Sequence, residues 1–210
     1  SRVLDAAHIS IDSKSSMVAG LPQLILGGLV VQTSGVMYSR PLFEACLSRG
    51  KAYRTVEFMA YALSQARFVS GCGDACFHAV APKLTDAFDP TMYARISDDT
   101  RALDELADSL SEADSGGRLK LASQKFYFAG LVACIENLCL SPHGVSSIER
   151  SARMRDMLDA PRTRQMVAAL KDNHRGLGLL FGPIVSAKPA RCVMCTHLAA
   201  FLNRTGTKTA

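Results

Sequence analysis

Two short stretches of the 210-residue sequence present cysteine and histidine in the same order. Each has two cysteines three or four positions apart, followed two positions later by a histidine. Structural zinc sites hold four soft ligands in a tetrahedron, often as two close pairs that the fold brings together. One hypothesis is therefore a structural zinc site, and its candidate ligands are Cys72, Cys76, Cys192 and Cys195, with His78 or His197 as substitutes.

Two features of these stretches weigh against zinc. The Cys-x3-Cys spacing of the first stretch is less typical of zinc sites than Cys-x2-Cys. In a helix, Cys192 and Cys195 share a face, whereas His197 points elsewhere. The interpretation that we favour is thiols without a metal, so we expect no cofactor.

A cysteine near a histidine is also the beginning of a nucleophile and base pair. Cys76 with His78, and Cys139 with His143, have this order, but a third group that orients the base is also needed. The phosphate-binding, dinucleotide-binding, GxSxG and HExxH motifs do not occur in the sequence. The sequence therefore favours a protein that is not an enzyme, and a cysteine- or zinc-dependent enzyme is the alternative.

A cluster of basic residues between positions 150 and 175 is more informative. Arginine suits phosphate groups because its planar fork donates two hydrogen bonds at once. The opposing interpretation is a solvated helix face, balanced by the acidic residues that lie between the basic ones. The candidate nucleic-acid-binding residues are Arg150, Arg153, Arg155, Arg162, Arg164, Lys171 and Arg175.

The charge of the chain is distributed unevenly along its length. The net charge is +5, but residues 1–117 carry a balance of −4 and residues 118–210 a balance of +9. Segments of opposite sign favour either polyanion binding or head-to-tail self-association. We therefore predict a helical protein of an intracellular assembly that binds nucleic acid or another polyanion through its basic C-terminal half and forms homo-oligomers. The alternative is a protein–protein interaction module without nucleic-acid binding, in which the basic helices meet the acidic helix 98–113 of a second copy or partner.

The seven cysteines bear on the compartment. Their number is odd, and two of them, Cys134 and Cys139, lie in an apolar helical run. Both features favour a reducing environment, cytoplasmic or nuclear, over a secreted disulfide framework. The apolar segment Met17–Val31 has about 15 residues against the roughly 20 that a spanning helix needs, so we expect no transmembrane segment.

The elements that position these residues are predicted to be helices. Residues 123–140 form the longest apolar run without a helix breaker, and apolar side chains cover most of its circumference. The predicted fold is all-α, a single compact domain of about eight helices around this central buried helix. The predicted limits are an N-terminal arm at 1–16, a helical domain at 17–204 with a possible boundary near 114–117, and a frayed tail at 205–210.

Three local predictions concern where helices begin and what they bury. Pro22 is placed in the first turn of a helix over 23–32, with a strand over 24–31 as the alternative. Ser97 is predicted to cap the helix that follows it. In the last helix, the side chains expected to reach the core are Val193, Leu198, Phe201 and Leu202.

Overall fold

The computed structural model describes residues 10–27, 36–51, 55–67, 69–70, 88–141 and 145–206. In these ranges the chain is built from α-helices, with one pair of two-residue strands and one 3₁₀ turn, so the all-α prediction is confirmed. The strands are β1 (Ser10–Ile11) and β2 (Val69–Ser70), and the 3₁₀ turn is Lys171–Asn173. The helices are α1 (Lys14–Leu26), α2 (Arg40–Ser48), α3 (Val56–Gln65), α4 (Met92–Ser109), α5 (Arg118–Leu140), α6 (Ser147–Asp159), α7 (Pro161–Leu170), α8 (Phe181–Val185) and α9 (Pro189–Gly206).

The chain forms two compact units. The first comprises Ser1–Ala81 and Ser97–Phe126, and the second comprises Pro82–Ile96 and Tyr127–Ala210. The limits of the units fall inside α4 and α5, so both of these helices supply residues to each unit. Residues 114–117, which the sequence suggested as a boundary, lie within the first unit. A compact unit is not by itself an independently folding domain, so the predicted domain limits stay predictions.

The start of α1 differs from the sequence prediction. The helix begins at Lys14, because the Ser13 hydroxyl accepts the backbone N–H of Ser16 and the Ser16 hydroxyl accepts the N–H of Ser13. Pro22 therefore lies inside the helix and not in its first turn. The strand alternative is wrong as far as Leu26, the last residue of α1.

Two residues of the predicted N-terminal arm, Ser10 and Ile11, form the strand β1. β1 pairs with β2 in antiparallel register, and Ile11 lies opposite Val69. Ile11 is only 1% exposed. Burying a large apolar side chain of this size contributes about 1.5–3 kcal/mol toward ordering the segment.

The core of the first unit combines α1, α3 and α4 with the beginning of α5. Leu21 of α1, Leu103 of α4 and Leu119 of α5 are almost completely buried in it. A second cluster holds the Phe58 ring between two others, with ring centroids 5.4 Å from Tyr38 and 5.6 Å from Phe43. The helices of this unit are thus held by apolar faces at helical spacing.

Helix α4 continues through Ser97 without a break, so the predicted cap at that residue is wrong. Near the true start of α4, the Asp89 carboxylate accepts the N–H and hydroxyl of Thr91 at 2.9 and 2.7 Å. These hydrogen bonds, followed by the charge of Arg95, lower the pKa of Asp89 below its ordinary value. Asp89, eight positions before Ser97, therefore stabilises the turn that leads into the helix.

The predicted central helix is confirmed as α5, which begins at Arg118, five residues earlier than expected. The Asp114 carboxylate accepts the first two N–H groups of the helix, at 2.9 Å from Arg118 and 2.8 Å from Leu119. Exposed positions are few along this helix, as expected of a helix apolar on most sides. The largest buried side chains in its second half are Tyr127, Leu131, Ile135 and Leu138.

The second unit packs α6 to α9 with the second half of α5. Met154 of α6, Met166 of α7 and Cys192 of α9 are completely buried. The last helix does not follow the prediction, because Leu198, Phe201 and Leu202 are 48%, 62% and 49% exposed. The described helices include none long and apolar enough to cross a membrane.

Candidate polyanion-binding surface

The seven predicted basic residues occupy α6, α7 and the 3₁₀ turn after them, and the structure sorts them into three groups. Helix α6 begins where the Ser146 hydroxyl accepts the N–H of Glu149 at 3.2 Å. Its apolar residues face the core and include Met154 and Leu158. This orientation fixes which basic side chains of α6 point outward.

Two of the seven are tied to carboxylates on the surface. Arg153 lies 2.9 Å from Glu149, one helical turn earlier, and its guanidinium is also 5.2 Å from the centre of the Phe88 ring. Arg164 lies 3.3 Å from Asp159. Exposed ion pairs of this kind contribute at most about 1 kcal/mol to the stability of the fold. They do, however, neutralise positive charges that would otherwise attract a polyanion.

Two more of the seven are partly buried. Arg162 places its guanidinium carbon 5.5 Å from the centre of the Tyr127 ring, in a cation–π arrangement. Arg150 also lies at the side of α6 that turns inward, and its Nε is buried. These two arginines belong to the packing of the second unit more than to its outer surface.

The remaining three, Arg155, Lys171 and Arg175, are exposed, and the described part of the chain places no ion pair on them. Two further cations that the sequence analysis missed, Lys188 and Arg191, have the same properties. The signal that would have found them is the absence of any aspartate or glutamate after position 172. We call these five residues the exposed basic set.

The uneven charge along the sequence is also found when the two compact units are compared. The first unit contains 11 lysines and arginines against 12 aspartates and glutamates, and the second contains 13 against 7. The second unit is therefore the basic one, with a balance of +6, and the first is close to neutral. Excess charge of one sign raises the local concentration of oppositely charged partners.

The structure describes the second of the two stretches that could bind zinc. Cys192 is completely buried, Cys195 is partly exposed and His197 is exposed on the outer side of α9. Cys72, Cys76 and His78 lie outside the described residues. Within the described ranges, no three cysteine, histidine, aspartate or glutamate side chains form a group that would hold a metal ion. The four-cysteine site therefore stays a prediction.

The three buried thiols of the second unit, Cys134, Cys139 and Cys192, are poorly suited to nucleophilic attack. Burial raises the pKa of Cys192 to about 11 and that of Cys134 to about 12. Burial also raises the pKa of Cys139, whose sequence partner His143 lies outside the described residues. The thiolate is the reactive form of cysteine, so these environments favour packing over catalysis.

Site-resolved alkylation tests this conclusion. At pH 8, we expect Cys134, Cys139 and Cys192 to react with iodoacetamide far more slowly in the folded protein than in urea, because burial both shields them and keeps them protonated. Mass spectrometry of the digested protein measures each site, and Cys195 serves as the less buried reference on the same helix. A buried thiol that reacts faster in the folded protein than in urea would contradict this assignment.

A cleft of about 410 Å³ lies within the first unit, between α3 and α4 and the end of α2. Its wall carries charges of both signs, including Arg49, Glu57 and Glu105. Lys51, also in the wall, forms an ion pair with Glu57. The cleft thus offers a mixed polar surface and no arrangement of nucleophile, base and orienting group.

The comparisons with known proteins add no assignment to this geometry. No protein-family model, no curated protein and no solved structure matches the chain.

Proposed function

We propose that this is a non-enzymatic helical protein that binds nucleic acid, or a polyanion of similar charge density, through the second unit. The observation that carries the proposal is the exposed basic set. Its members are exposed in a unit of balance +6 and have no ion pair in the described part of the chain. Arginine and lysine in this state gain by displacing counterions from phosphate.

The contrast within the same two helices strengthens the proposal. On a solvated and balanced helix face, basic side chains find acidic neighbours, as Arg153 and Arg164 do with Glu149 and Asp159. Arg155 lies between these pairs in sequence and has no ion pair with any residue that the structure describes. Sequence-independent binding to phosphate requires charges of this kind and no base-stacking platform.

Self-association is part of the same proposal. In the first unit, Glu105 of α4 and Glu112 in the turn after α4 are exposed acidic side chains that form no ion pair within the described ranges. An acidic surface on one copy and the exposed basic set on another are complementary, which supports head-to-tail assembly. If this contact used all of the basic surface, the protein would be an interaction module without nucleic-acid binding.

The decisive experiment replaces Arg155, Lys171 and Arg175 together by glutamine. We expect the affinity for a mixed-sequence single-stranded RNA to fall at least about tenfold at about 50 mM salt, because three phosphate contacts are lost. The slope of log affinity against log salt should fall in magnitude by about 2, since each contact with a single strand contributes roughly 0.7. Fluorescence anisotropy at several salt concentrations measures both quantities.

The matched control replaces three exposed arginines of the first unit by glutamine. They are Arg49, Arg67 and Arg118, which also have no ion pair in the described part of the chain. It changes the net charge by the same amount, so it should leave the affinity within about twofold of the parent. An equal loss in the control, or no binding of RNA or DNA by the parent at low salt, contradicts the proposal. Light scattering of the same samples without RNA then separates the alternatives, because salt-sensitive assembly without RNA binding supports the interaction module.

A further inference from the structure

The outer face of α9 is apolar, which is the reverse of what a helix on the surface of a folded unit normally shows. Met194, Leu198, Phe201 and Leu202 are 64%, 48%, 62% and 49% exposed. We call these four residues the α9 stripe.

The spacing of these residues shows that the stripe is a single surface. Met194, Leu198 and Phe201 are separated by four and three positions, so they lie above one another on one side of the helix. Cys192 and Thr196, on the opposite side, are 0% and 1% exposed and face the core of the second unit. The helix is therefore anchored by one face while the opposite face presents large apolar side chains to the outside.

The charges next to the stripe indicate the kind of partner. Lys188 and Arg191 are exposed at the start of α9, and no acidic residue occurs from position 173 to the end of the sequence. An apolar stripe with two exposed basic residues beside it in sequence, and no acidic residue on its own helix, matches a surface that is both apolar and anionic. A lipid bilayer with anionic headgroups has this combination of properties.

A second copy of the chain matches the stripe less well. Pairing two α9 helices would bring two basic segments together with no carboxylate from either segment to offset the repulsion. Helix α4 offers the carboxylates, but its apolar residues, among them Leu103 and Leu106, are buried in the first unit. Neither surface of a second copy therefore supplies apolar contact and negative charge together.

We propose that the α9 stripe docks on the surface of an anionic membrane. Met194, Leu198, Phe201 and Leu202 enter the boundary between headgroups and acyl chains, while Lys188 and Arg191 lie against the anionic headgroups. The helix lies in the plane of the surface and keeps its inner face on the second unit. Lys188 and Arg191 also belong to the exposed basic set, so the membrane and nucleic-acid proposals share these two charges. The residues replaced to test RNA binding, Arg155, Lys171 and Arg175, are outside the stripe, so each proposal has a variant of its own.

The sequence contains no tryptophan, so a single introduced tryptophan is a clean reporter of insertion. We expect the emission of a Met194→Trp protein to shift to shorter wavelength, and to be quenched by brominated lipid, on vesicles of equal phosphatidylcholine and phosphatidylserine. The matched control is Ile148→Trp, on α6 of the same unit, at a residue that is 83% exposed. Its emission should not change, because Ile148 is on a different helix and is not one of the four stripe residues.

Vesicle co-sedimentation measures the energetic contribution of the stripe. Replacing Met194 and Leu198 together by serine should lower the partition coefficient about tenfold or more, whereas Ile148→Ser should leave it unchanged. Replacing Lys188 and Arg191 by glutamine should lower it about fivefold per charge on anionic vesicles and have little effect on pure phosphatidylcholine. Circular dichroism of each variant verifies that the fold is retained.

Three results would overturn the membrane proposal. One is a parent protein that does not sediment with anionic vesicles at low salt. Another is sedimentation without a spectral change at position 194, which would mean adsorption by charge alone. The third is a parent protein that forms a concentration-dependent dimer and does not bind vesicles, while the variant with serine at Met194 and Leu198 stays monomeric. That result would assign the stripe to a second copy. RNA affinity of this variant should equal that of the parent, so the two proposals fail independently.

Discussion

Replacing Tyr127 by alanine should lower the free energy of unfolding by about 3–5 kcal/mol, the range found for removing a large buried aromatic side chain. Tyr127 is 0% exposed and lies at the start of the α5 segment that belongs to the second unit. Its removal leaves a cavity and also takes away the ring over which the Arg162 guanidinium is placed. Urea denaturation followed by circular dichroism measures the change.

The phenol oxygen of Tyr127 is responsible for a smaller part of this effect. It lies 3.0 Å from the hydroxyl of Tyr93 and 3.0 Å from that of Thr163, which in turn donates to the carbonyl of Met157 at 2.6 Å. Burial raises the pKa of Tyr127 well above its ordinary value, so the chain of hydroxyls stays uncharged. Tyr127→Phe removes both of these hydrogen bonds and should cost about 1–3 kcal/mol, at about 0.5–1.5 kcal/mol net for each.

Thr163→Val separates the network from the packing. It keeps the shape of the side chain but leaves the Tyr127 hydroxyl and the Met157 carbonyl each with one partner fewer, so we expect a loss of about 1–3 kcal/mol. Combining it with Tyr127→Phe should cost less than the sum of the two, because both changes break the same contact. If Tyr127→Ala costs no more than Tyr127→Phe, the ring is not part of a packed core and our description of α5 is wrong.

Much of the fold is predictable from the sequence because helix α5 is apolar around most of its circumference. Leu131, Ile135 and Leu138 recur at helical spacing, and such a pattern is buried wherever the chain finds neighbours for it. The helix starts are less predictable, since their caps come from residues outside the obvious pattern. The Asp114 side chain, which precedes α5 by four residues, is one case, and Ser97, a good cap that the structure leaves inside α4, is the converse.

The candidate surface is predictable in composition and not in arrangement. The pairing of Arg153 with Glu149 follows from the spacing of four residues and was open to prediction. The partial burial of Arg162 was not, because it depends on the tertiary position of the Tyr127 ring. The same reason explains the error at Leu198 and Phe201, since an apolar stripe has the same pattern whether it faces a core or the outside.

A close contact between α4 and α5 in the second unit provides another large effect. Gly130 of α5 lies against Ile96 of α4, and a β-carbon added at Gly130 would come within 2.5 Å of the Ile96 Cγ2 atom. That atom is attached directly to the branched β-carbon of Ile96, whose rotamer is restricted in a helix. The side chain therefore cannot swing aside without moving the backbone.

Gly130→Ala should consequently lower the free energy of unfolding by about 1–3 kcal/mol, the cost of overpacking a well-packed contact. Helix propensity alone would predict the opposite, a gain in stability, because alanine in a helix is favoured over glycine by about 1 kcal/mol. The matched control is Gly182→Ala in α8 of the same unit, where an added β-carbon meets no atom within 4 Å. That variant should be unchanged or stabilised by a few tenths of a kcal/mol.

Adding Ile96→Ala to Gly130→Ala tests whether the contact itself is the cause. Ile96→Ala removes the Cγ2, Cγ1 and Cδ1 atoms that the new β-carbon would meet. In this background Gly130→Ala should no longer destabilise the protein, which gives a coupling energy of about 1 kcal/mol or more between the two sites. Additive losses would mean that α4 and α5 do not approach closely at these residues, since two side chains that never compete for space cannot relieve one another.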